Sequence, residues 1–489
     1  MSPLPPNPDG APTRGRPTLA GTLGARHIVF MVVAAAAPMA VVIAIMPIAL
    51  ALGNGVGTPG MFLVASLVLL VFSLGYTRMT PHVRNAGAFY AYIAHGLGKP
   101  LGLVAAYSAV IAYNSLSAAT CGALAFFAHD TANNLLGVDL PWTVWAAIAI
   151  AIVAVLGYRK ITLTARVLGV ALLAEVLVLL ALDVAILIDR GPGAYSFDVF
   201  APTNVFGGVV GVAIIYAFSS YLGFEGTAIY AEEAREPRRA VPRATYAAVA
   251  IVGTFYVLTS WSLLAAYGGE RSLAIAGENP GGYVFGLTDQ FIGSAVTDIT
   301  NVLTVTSAFA AVLAFHNAAA RYFFALSRDG FLPAALSRTH PRHGSPYVAG
   351  MTQVAVLVVI VGGFAIAGLD PLLNLSTAMT GFGAVGLLSL LTVTSAAIAA
   401  FFWRRGEHGG RTTVAPIAAT LGLGTATVLA LANYPSLTGS DSQLINSLPW
   451  LYLPVLAAGL AFALWIRRRA PETYAGIGRT PIAEELERE

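Results

Sequence analysis

Residues 28–52 read IVFMVVAAAAPMAVVIAIMPIALAL, an apolar stretch without a charged side chain. A membrane helix satisfies its own backbone hydrogen bonds, and about 20 apolar residues are needed to cross the hydrocarbon. Ala34–Ala37 is similar to the small-residue end of a signal peptide, but this run is longer than the roughly 7–15 apolar residues typical of one. We therefore interpret 28–52 as the first membrane-spanning helix.

Comparable apolar stretches recur as far as residue 466. Hydrophobic residues make up 57% of the chain, charged residues 10%, and the mean hydropathy is +0.74. Because about a quarter of the residues in a soluble domain are charged, a soluble protein is excluded, and the sequence predicts an all-α, polytopic membrane protein. The predicted spans 1 to 12 cover residues 28–52, 59–79, 101–128, 141–157, 166–188, 205–231, 244–267, 296–326, 347–368, 374–403, 412–433 and 449–466.

The positions of lysine and arginine test this count, because these residues accumulate in cytoplasmic loops. With the N-terminal tail in the cytoplasm, the basic residues between spans fall on the cytoplasmic side, with Arg190 and Arg271 as exceptions. One span more or fewer would destroy this pattern for half of the chain. We therefore predict a multi-pass protein of the cytoplasmic membrane with both termini in the cytoplasm.

Composition also limits the expected partners. Residues 1–26 are rich in proline, glycine and arginine, which predicts a disordered cytoplasmic tail. The net charge of +3 is small and the basic residues are dispersed, so nucleic acid is not an expected partner. The single cysteine, Cys121, allows no intramolecular disulfide, and neither a cofactor nor a metal site is predicted. The expected partners are the lipid bilayer and a small-molecule substrate.

Ionisable residues inside spans are costly, by about 2.5 to 3.5 kcal/mol at the helix centre, so each requires an explanation. Glu175 and Glu225 lie well inside predicted spans and are interpreted as functional groups. Asp183, Asp298 and Arg321 lie closer to span ends, where snorkelling or loop solvent explains them.

Two spans are interrupted. Span 1 contains AAAPMA over 35–40, where the proline removes an amide donor, and span 6 contains FSSYLGFE over 218–225. Paired interruptions five helices apart indicate a substrate site near the bilayer midplane, because freed backbone groups there can hold a charged substrate. The alternative is two ordinary kinked helices.

Three motifs flank spans 2, 6 and 8. The chain reads NAGAFYAY over 85–92, then GFE over 223–225 with EEAREP over 232–237 and VPR over 241–243. After span 8 it carries Arg321, Ala325, Arg328-Asp329-Gly330 and Pro333. In this order and spacing the motifs are similar to those of the amino acid-polyamine-organocation superfamily, which the chain resembles over nearly its whole length after the tail.

The resemblance implies a LeuT-like fold of two inverted five-helix repeats. It divides the chain into a tail (1–26), a ten-helix transport core (27–403, with repeats 27–189 and 204–403) and two additional helices with a cytoplasmic tail (404–489). It also implies that unwound backbone in spans 1 and 6 binds an amino acid. The substrate-binding residues that it nominates are Ala36, Ala37, Pro38, Met39, Phe218, Ser219, Ser220, Tyr221 and Gly223, with Tyr113 and Ser117, on one face of span 3, as secondary candidates.

The chain departs from the family pattern at three places. Alanines and Pro38 replace the usual glycines of the first break, and Glu175 stands where some members carry a lysine linked to proton coupling. In span 8, Ala311 replaces a hydroxyl residue associated with sodium, while Thr306 and Ser307 lie one turn earlier. The first departure leaves the position of the break open, and the third weakens a sodium site.

We expect a symporter or antiporter of small amino acids that works by alternating access, coupled to protons rather than sodium. Glu175, Glu225, Thr306 and Ser307 are the candidate coupling or gating residues, and Tyr221 is expected to cover the substrate. A polyamine or other organic cation is the alternative substrate. An ion channel would show a repeated pore signature and an enzyme a nucleophile with its base, and the sequence displays neither.

Overall fold

The computed structural model describes residues 24–83, 89–159, 165–224, 237–438 and 442–478. These residues form helices joined by turns and short irregular segments, with no β-strand among them. Helices are the expected solution for long apolar segments, because each helix satisfies its backbone polar groups without water. The predicted all-α class is confirmed.

Ten helices in the described ranges are long and apolar enough to cross a membrane. They coincide with predicted spans 2 to 5 and 7 to 12, and we keep those numbers for them. The helices are Thr58–Met79, Lys99–Leu136, Trp142–Arg159, Ala165–Arg190, Pro237–Tyr267, Ser294–Arg328, Tyr347–Ile366, Pro371–Arg404, Gly410–Ala432 and Leu448–Arg469.

Spans 1 and 6 contain shorter helices. Span 1 consists of helix Ala25–Ala35 and helix Pro38–Leu52, and the second of these includes a π-helical turn at Val41–Ile45. In span 6, helix Val210–Ser219 ends in the middle of the predicted span. The structure is therefore consistent with twelve spans, two of which are interrupted where the sequence shows proline, serine and glycine.

Span 3 lies at the centre of the bundle and packs against spans 4, 8, 10 and 12. The small side chains of span 3 allow these helices to pack closely. A Cβ atom on Gly122 would lie 2.6 Å from the Pro371 carbonyl oxygen, so glycine is required where span 3 meets the start of span 10. Close approach at small residues is the usual way in which membrane helices gain packing energy.

The loops at one end of the bundle are joined by hydrogen bonds between two of the sequence motifs. The Tyr90 hydroxyl, in the motif after span 2, donates to Asp329 Oδ2 after span 8 at 3.1 Å. Tyr107 of span 3 donates to the Phe331 carbonyl oxygen at 2.8 Å. The beginning of the first motif, residues 225–236 with Glu225 and much of the second motif, and the tail residues 1–23 lie outside the described residues.

Candidate functional site

The break in span 1 lies at Ala36 and Ala37. Ala37 has φ 44° and ψ 66° and is the one non-glycine residue with positive φ in the described part of the chain. A left-handed conformation costs an ordinary L-residue about 1–2 kcal/mol, so neighbouring interactions must stabilise it. Pro38 then begins the next helix at a position where its missing amide hydrogen is no loss.

Two buried side chains from other spans stabilise the turn after Ala37. The Glu175 carboxylate of span 5 accepts hydrogen bonds from the Met39 backbone amide and from the Ser307 hydroxyl of span 8, the latter at 2.8 Å. Ser307 Oγ also accepts the Ala40 amide, at 3.4 Å. Spans 5 and 8 therefore cap the first free amides of helix Pro38–Leu52, at a helix end where negative charge is favourable.

The carbonyl side of the same break contacts span 7. The Tyr256 hydroxyl donates to the Ala36 carbonyl oxygen at 3.4 Å, and the Tyr256 ring packs edge-on against Tyr221 with centroids 5.7 Å apart. Tyr221 itself is held by span 2, because its hydroxyl donates to the Phe62 carbonyl oxygen at 3.1 Å and lies 2.5 Å from Ser66 Oγ. Spans 5, 7 and 8 therefore contact the break directly, and span 2 holds Tyr221 beside Tyr256.

The break in span 6 is stabilised locally. Ser219 and Ser220 both donate to the Tyr216 carbonyl oxygen of their own helix, at 3.1 Å and 2.7 Å. Gly223 follows with φ 107°, which a side chain would strain. The chain therefore leaves the helical path within one turn of Ser219, as the sequence predicts.

A cavity of about 70 Å³ lies between the two breaks. Its walls are apolar apart from four hydroxyl groups, and no ionisable side chain of the described residues lines it. The lining residues are Ala36, Ala37, Ala40, Val41, Ala44 and Ile45 of span 1, Leu116, Thr120 and Ala123 of span 3, Ser219 and Leu222 of span 6, Ala308, Ala311 and Phe315 of span 8, and Ser376 and Thr380 of span 10.

Three of the nominated substrate-binding residues, Ala36, Ala37 and Ser219, line this cavity. The others lie beside it without lining it, and all of them are buried except the partly exposed Gly223. Pro38 and Met39 belong to the capped turn near Glu175. The positions at the end of the span 6 helix are Phe218, Ser220, Tyr221 and Gly223. In span 3, the Tyr113 ring stacks on Tyr322 with centroids 5.4 Å apart, and the Ser117 hydroxyl accepts a hydrogen bond from Gln353 Nε2 at 3.1 Å.

The sequence analysis did not nominate the residues of spans 3, 8 and 10 that line the cavity. Apart from Leu116 and Phe315, these residues are small or carry a hydroxyl group, and some recur at helical spacing, for example Ser376 and Thr380. In span 3, Leu116 and Thr120 line the cavity, whereas the predicted Tyr113 and Ser117 contact spans 8 and 9. This helical spacing could have indicated the lining residues. It is not specific, because small residues are frequent throughout this chain.

The described candidate coupling residues differ in their hydrogen-bond partners. Ser307 contacts Glu175, whereas the exposed Thr306 donates to the Leu303 carbonyl oxygen of its own helix. Glu175, Thr306 and Ser307 all line a larger crevice of about 670 Å³ between spans 3, 4, 5 and 8. Glu175 therefore lies behind the break and does not line the central cavity.

Of the other ionisable residues discussed for the spans, two are exposed and one is hydrogen-bonded to a neighbouring span. Asp298 and Arg321 are exposed near helix ends, as predicted from the sequence. Asp183 differs, because the hydroxyl of Thr259 in span 7 donates to Asp183 Oδ2 at 2.8 Å. Solvent at a helix end does not account for Asp183.

A multi-pass helical bundle with a small cavity between two interrupted helices has the architecture of a secondary transporter. The amino acid permease family model matches residues 23–460, and the chain belongs to that family. It is a membrane permease, not an enzyme.

Several characterised proteins are similar to the chain. Branched-chain amino acid permease BcaP of Bacillus subtilis is 25% identical over 319 residues, which cover 61% of this chain and 66% of that protein. The Lactococcus lactis BcaP is 23% identical, covering 63% of this chain and 69% of the relative. Low-affinity putrescine importer PlaP of Escherichia coli is 23% identical over 71% of this chain and 74% of the importer.

Proposed function

We propose that this permease takes up a small neutral amino acid by alternating access, coupled to proton movement through Glu175. The central cavity is the observation that carries the substrate proposal. Its volume of about 70 Å³ holds roughly five water-sized groups, so in this conformation it suits a small solute. Backbone groups at the two breaks are the expected partners of the amino and carboxylate groups of such a solute.

The walls of the cavity favour an amino acid over a polyamine. Ala123, Ala308 and Phe315 offer apolar contact to a side chain, while Ser219 and Thr380 offer hydroxyl groups. The second ammonium group of a diamine would need a carboxylate, because a buried unpaired charge is strongly unfavourable. No carboxylate of the described residues lines the cavity, and the relatives named as branched-chain permeases support the same choice.

The cap on the first break supports proton coupling. A charged Glu175 accepts the Met39 amide and the Ser307 hydroxyl and so stabilises the strained turn at Ala37. A proton on this carboxylate removes the charge that the helix end favours and converts one oxygen into a donor. The two protonation states therefore stabilise different geometries of the break, which is what a coupling group must do.

The sodium alternative receives less support. In span 8, Ala311 offers no oxygen, and the Ser307 hydroxyl donates to Glu175. A gating role for Glu225 stays a prediction that concerns a residue outside the described ranges. The cover role of Tyr221 also stays a prediction, because in this conformation its hydroxyl is bonded to span 2.

We further propose that the ten-helix core is the five-plus-five inverted repeat and that both termini are cytoplasmic. Interruptions in spans 1 and 6, five helices apart, support the repeat. Exposed Leu136 and His408 lie at opposite ends of the bundle under this topology. Single cysteines there, in a Cys121→Ala background, should give outside labelling by an impermeant thiol reagent at 136 alone, and the reverse result would overturn the orientation.

Uptake into proteoliposomes tests the main proposal. Labelled glycine, alanine, leucine and putrescine would be supplied with an imposed proton gradient, an imposed sodium gradient or neither. We expect saturable uptake of a small neutral amino acid, stimulated by the inward proton gradient. Saturable putrescine uptake that amino acids do not inhibit would overturn the substrate proposal, and stimulation by sodium alone would overturn the coupling proposal.

A further inference from the structure

A second acid of span 5, the partly buried Asp183, lies about two helical turns beyond Glu175. The Thr259 hydroxyl donates to Asp183 Oδ2 at 2.8 Å, and the Ser262 hydroxyl also bonds to this carboxylate. Asp183 Oδ1 is buried and has no hydrogen-bond partner among the described residues. A half-satisfied carboxylate between two apolar helices is expensive, so a structural role alone does not explain an acid at this position.

Hydroxyl groups connect Asp183 with the loop that follows span 5. The Tyr195 hydroxyl donates to Ser262 Oγ at 3.2 Å, and Ser262 bonds to Asp183. Tyr195 is partly exposed, and its segment is held in place because Trp261 Nε1 donates to the Ser196 carbonyl oxygen at 3.0 Å. Burial raises the pKa of Tyr195 above its usual value, so its hydroxyl stays protonated.

On its other side Asp183 approaches the first break through span 7. Thr259, its hydrogen-bond partner, lies one turn from Tyr256, whose hydroxyl donates to the Ala36 carbonyl oxygen. Glu175 caps the same break from span 5. Asp183 therefore lies between the loop at the bundle end and the proposed coupling acid.

We propose that Asp183 is a second proton-binding site, which exchanges protons with the aqueous phase through Ser262 and Tyr195 and serves Glu175. This inference rests on the proposed proton coupling. Tyr195 releases its own proton toward Ser262 and regains one from water, and Ser262 passes a proton to the carboxylate in the same way. Each hydroxyl ends the cycle neutral, and the proton resides on Asp183 until it leaves toward Glu175 or returns to water.

Other charged groups on the elements around Asp183 are engaged or exposed. Asp189 and Arg190 lie at the end of span 5 with Oδ2 and Nε 3.4 Å apart, and the Arg190 guanidinium lies over the Phe291 ring. Asp289 of the loop helix Tyr283–Phe291 and Asp298 of span 8 are exposed. Tyr195 interacts electrostatically with Asp183.

Asp183→Asn tests the proposal in proteoliposomes with the full-length protein. Asparagine keeps the shape and can accept from Thr259, but it cannot bind and release a proton. We expect gradient-driven accumulation to fall by roughly 10-fold, or about 1.4 kcal/mol, while exchange at equal substrate concentrations is retained. Tyr195→Phe should slow accumulation in the same direction, and Asp183→Glu should restore it.

Ser260→Ala is the matched control, because Ser260 is also buried in span 7 but its hydroxyl donates within its own helix, to Tyr256 and Val257 carbonyl oxygens. This variant should accumulate substrate normally. An equal loss of accumulation and exchange in Asp183→Asn, without rescue by glutamate, would overturn the inference and make Asp183 structural.

The Glu175→Gln variant separates this inference from the coupling proposal. Normal accumulation in Asp183→Asn, with loss in Glu175→Gln, would overturn the second proton site and leave the coupling proposal intact. Suppose instead that Asp183→Asn loses accumulation and Glu175→Gln accumulates normally. That result would overturn Glu175 as the coupling acid and the proton transfer from Asp183 to Glu175, but it would leave a proton-binding role for Asp183.

Discussion

The two helix breaks around the cavity are stabilised in opposite ways. At the break in span 6, Ser219 and Ser220 bond to their own helix and Gly223 supplies the unusual backbone angle. The break in span 1 places a strained alanine at position 37 and depends on side chains from spans 5 and 8. One break is therefore encoded locally, whereas the other exists only in the assembled bundle.

This difference assigns the two breaks different functions. A locally stabilised break retains its geometry when other helices move, which suits a surface that binds substrate. A break capped by distant groups responds to the protonation and position of those groups, which suits a moving part. The predictions below test that division.

The largest effect is expected from filling the cavity at the locally encoded break. Ser219 lines the cavity and is 8% exposed, so Ser219→Trp places an indole ring where the substrate is expected. Substrate binding, measured by isothermal titration in detergent, should be abolished, while Ser219→Ala should still bind. Normal binding by folded Ser219→Trp would show that the site lies elsewhere.

Glu175→Gln should have the next largest effect, at the remotely capped break. Glutamine preserves shape and can still accept the Met39 amide, but it cannot release a proton. Accumulation driven by a proton gradient should fall by roughly 10-fold, and uptake should lose most of its pH dependence, while exchange persists. If accumulation and pH dependence are unchanged, Glu175 is a structural residue.

A pair of serine variants compares the two breaks directly. Ser307→Ala leaves Glu175 without one partner and should cost about 1–3 kcal/mol, because a buried charged acceptor loses a hydrogen bond. Ser220→Ala removes a bond within one helix and should cost about 0.5 kcal/mol or less. Thermal unfolding in detergent should therefore give a lower midpoint for Ser307→Ala. Equal midpoints would mean that the cap contributes little to stability.

The smallest effect is expected at Ala37. Glycine accepts a positive φ, so Ala37→Gly relieves strain of about 1–2 kcal/mol but increases the entropy of the unfolded chain by roughly 0.5–1 kcal/mol. We expect a gain of about 1 kcal/mol or less, seen as a slightly higher unfolding midpoint. A lower midpoint would indicate that the left-handed turn is not strained.

Much of the architecture is predictable from the sequence because it depends on properties of single segments, such as their length and hydrophobicity. Apolar length determines the spans, and local chemistry marks the break after Ser219. The first break was located only approximately, because alanine has no preference for the left-handed angle of Ala37. The groups that impose this angle, Glu175 and Ser307, are distant in sequence.

Long-range packing also decides which of the predicted residues line the cavity. The sequence indicated a polar face on span 3, but the packing of spans 8 and 10 decides which face lines the cavity. Asp183 was interpreted from its distance to a helix end, and the hydroxyls that bond to it belong to span 7. Neither the packing of span 3 nor the hydrogen bonds of Asp183 can be predicted from the periodicity of a single helix.

The hydrogen bond from Ala40 to Ser307 joins residues 267 positions apart, and this separation affects how the protein is made. A ribosome adding about 5–20 residues per second needs roughly 13–50 s between these two residues. During that interval span 1 is in the membrane without the cap that fixes its break. Span 1 is therefore completed late in biosynthesis, because it enters the membrane before the bend at its break is fixed.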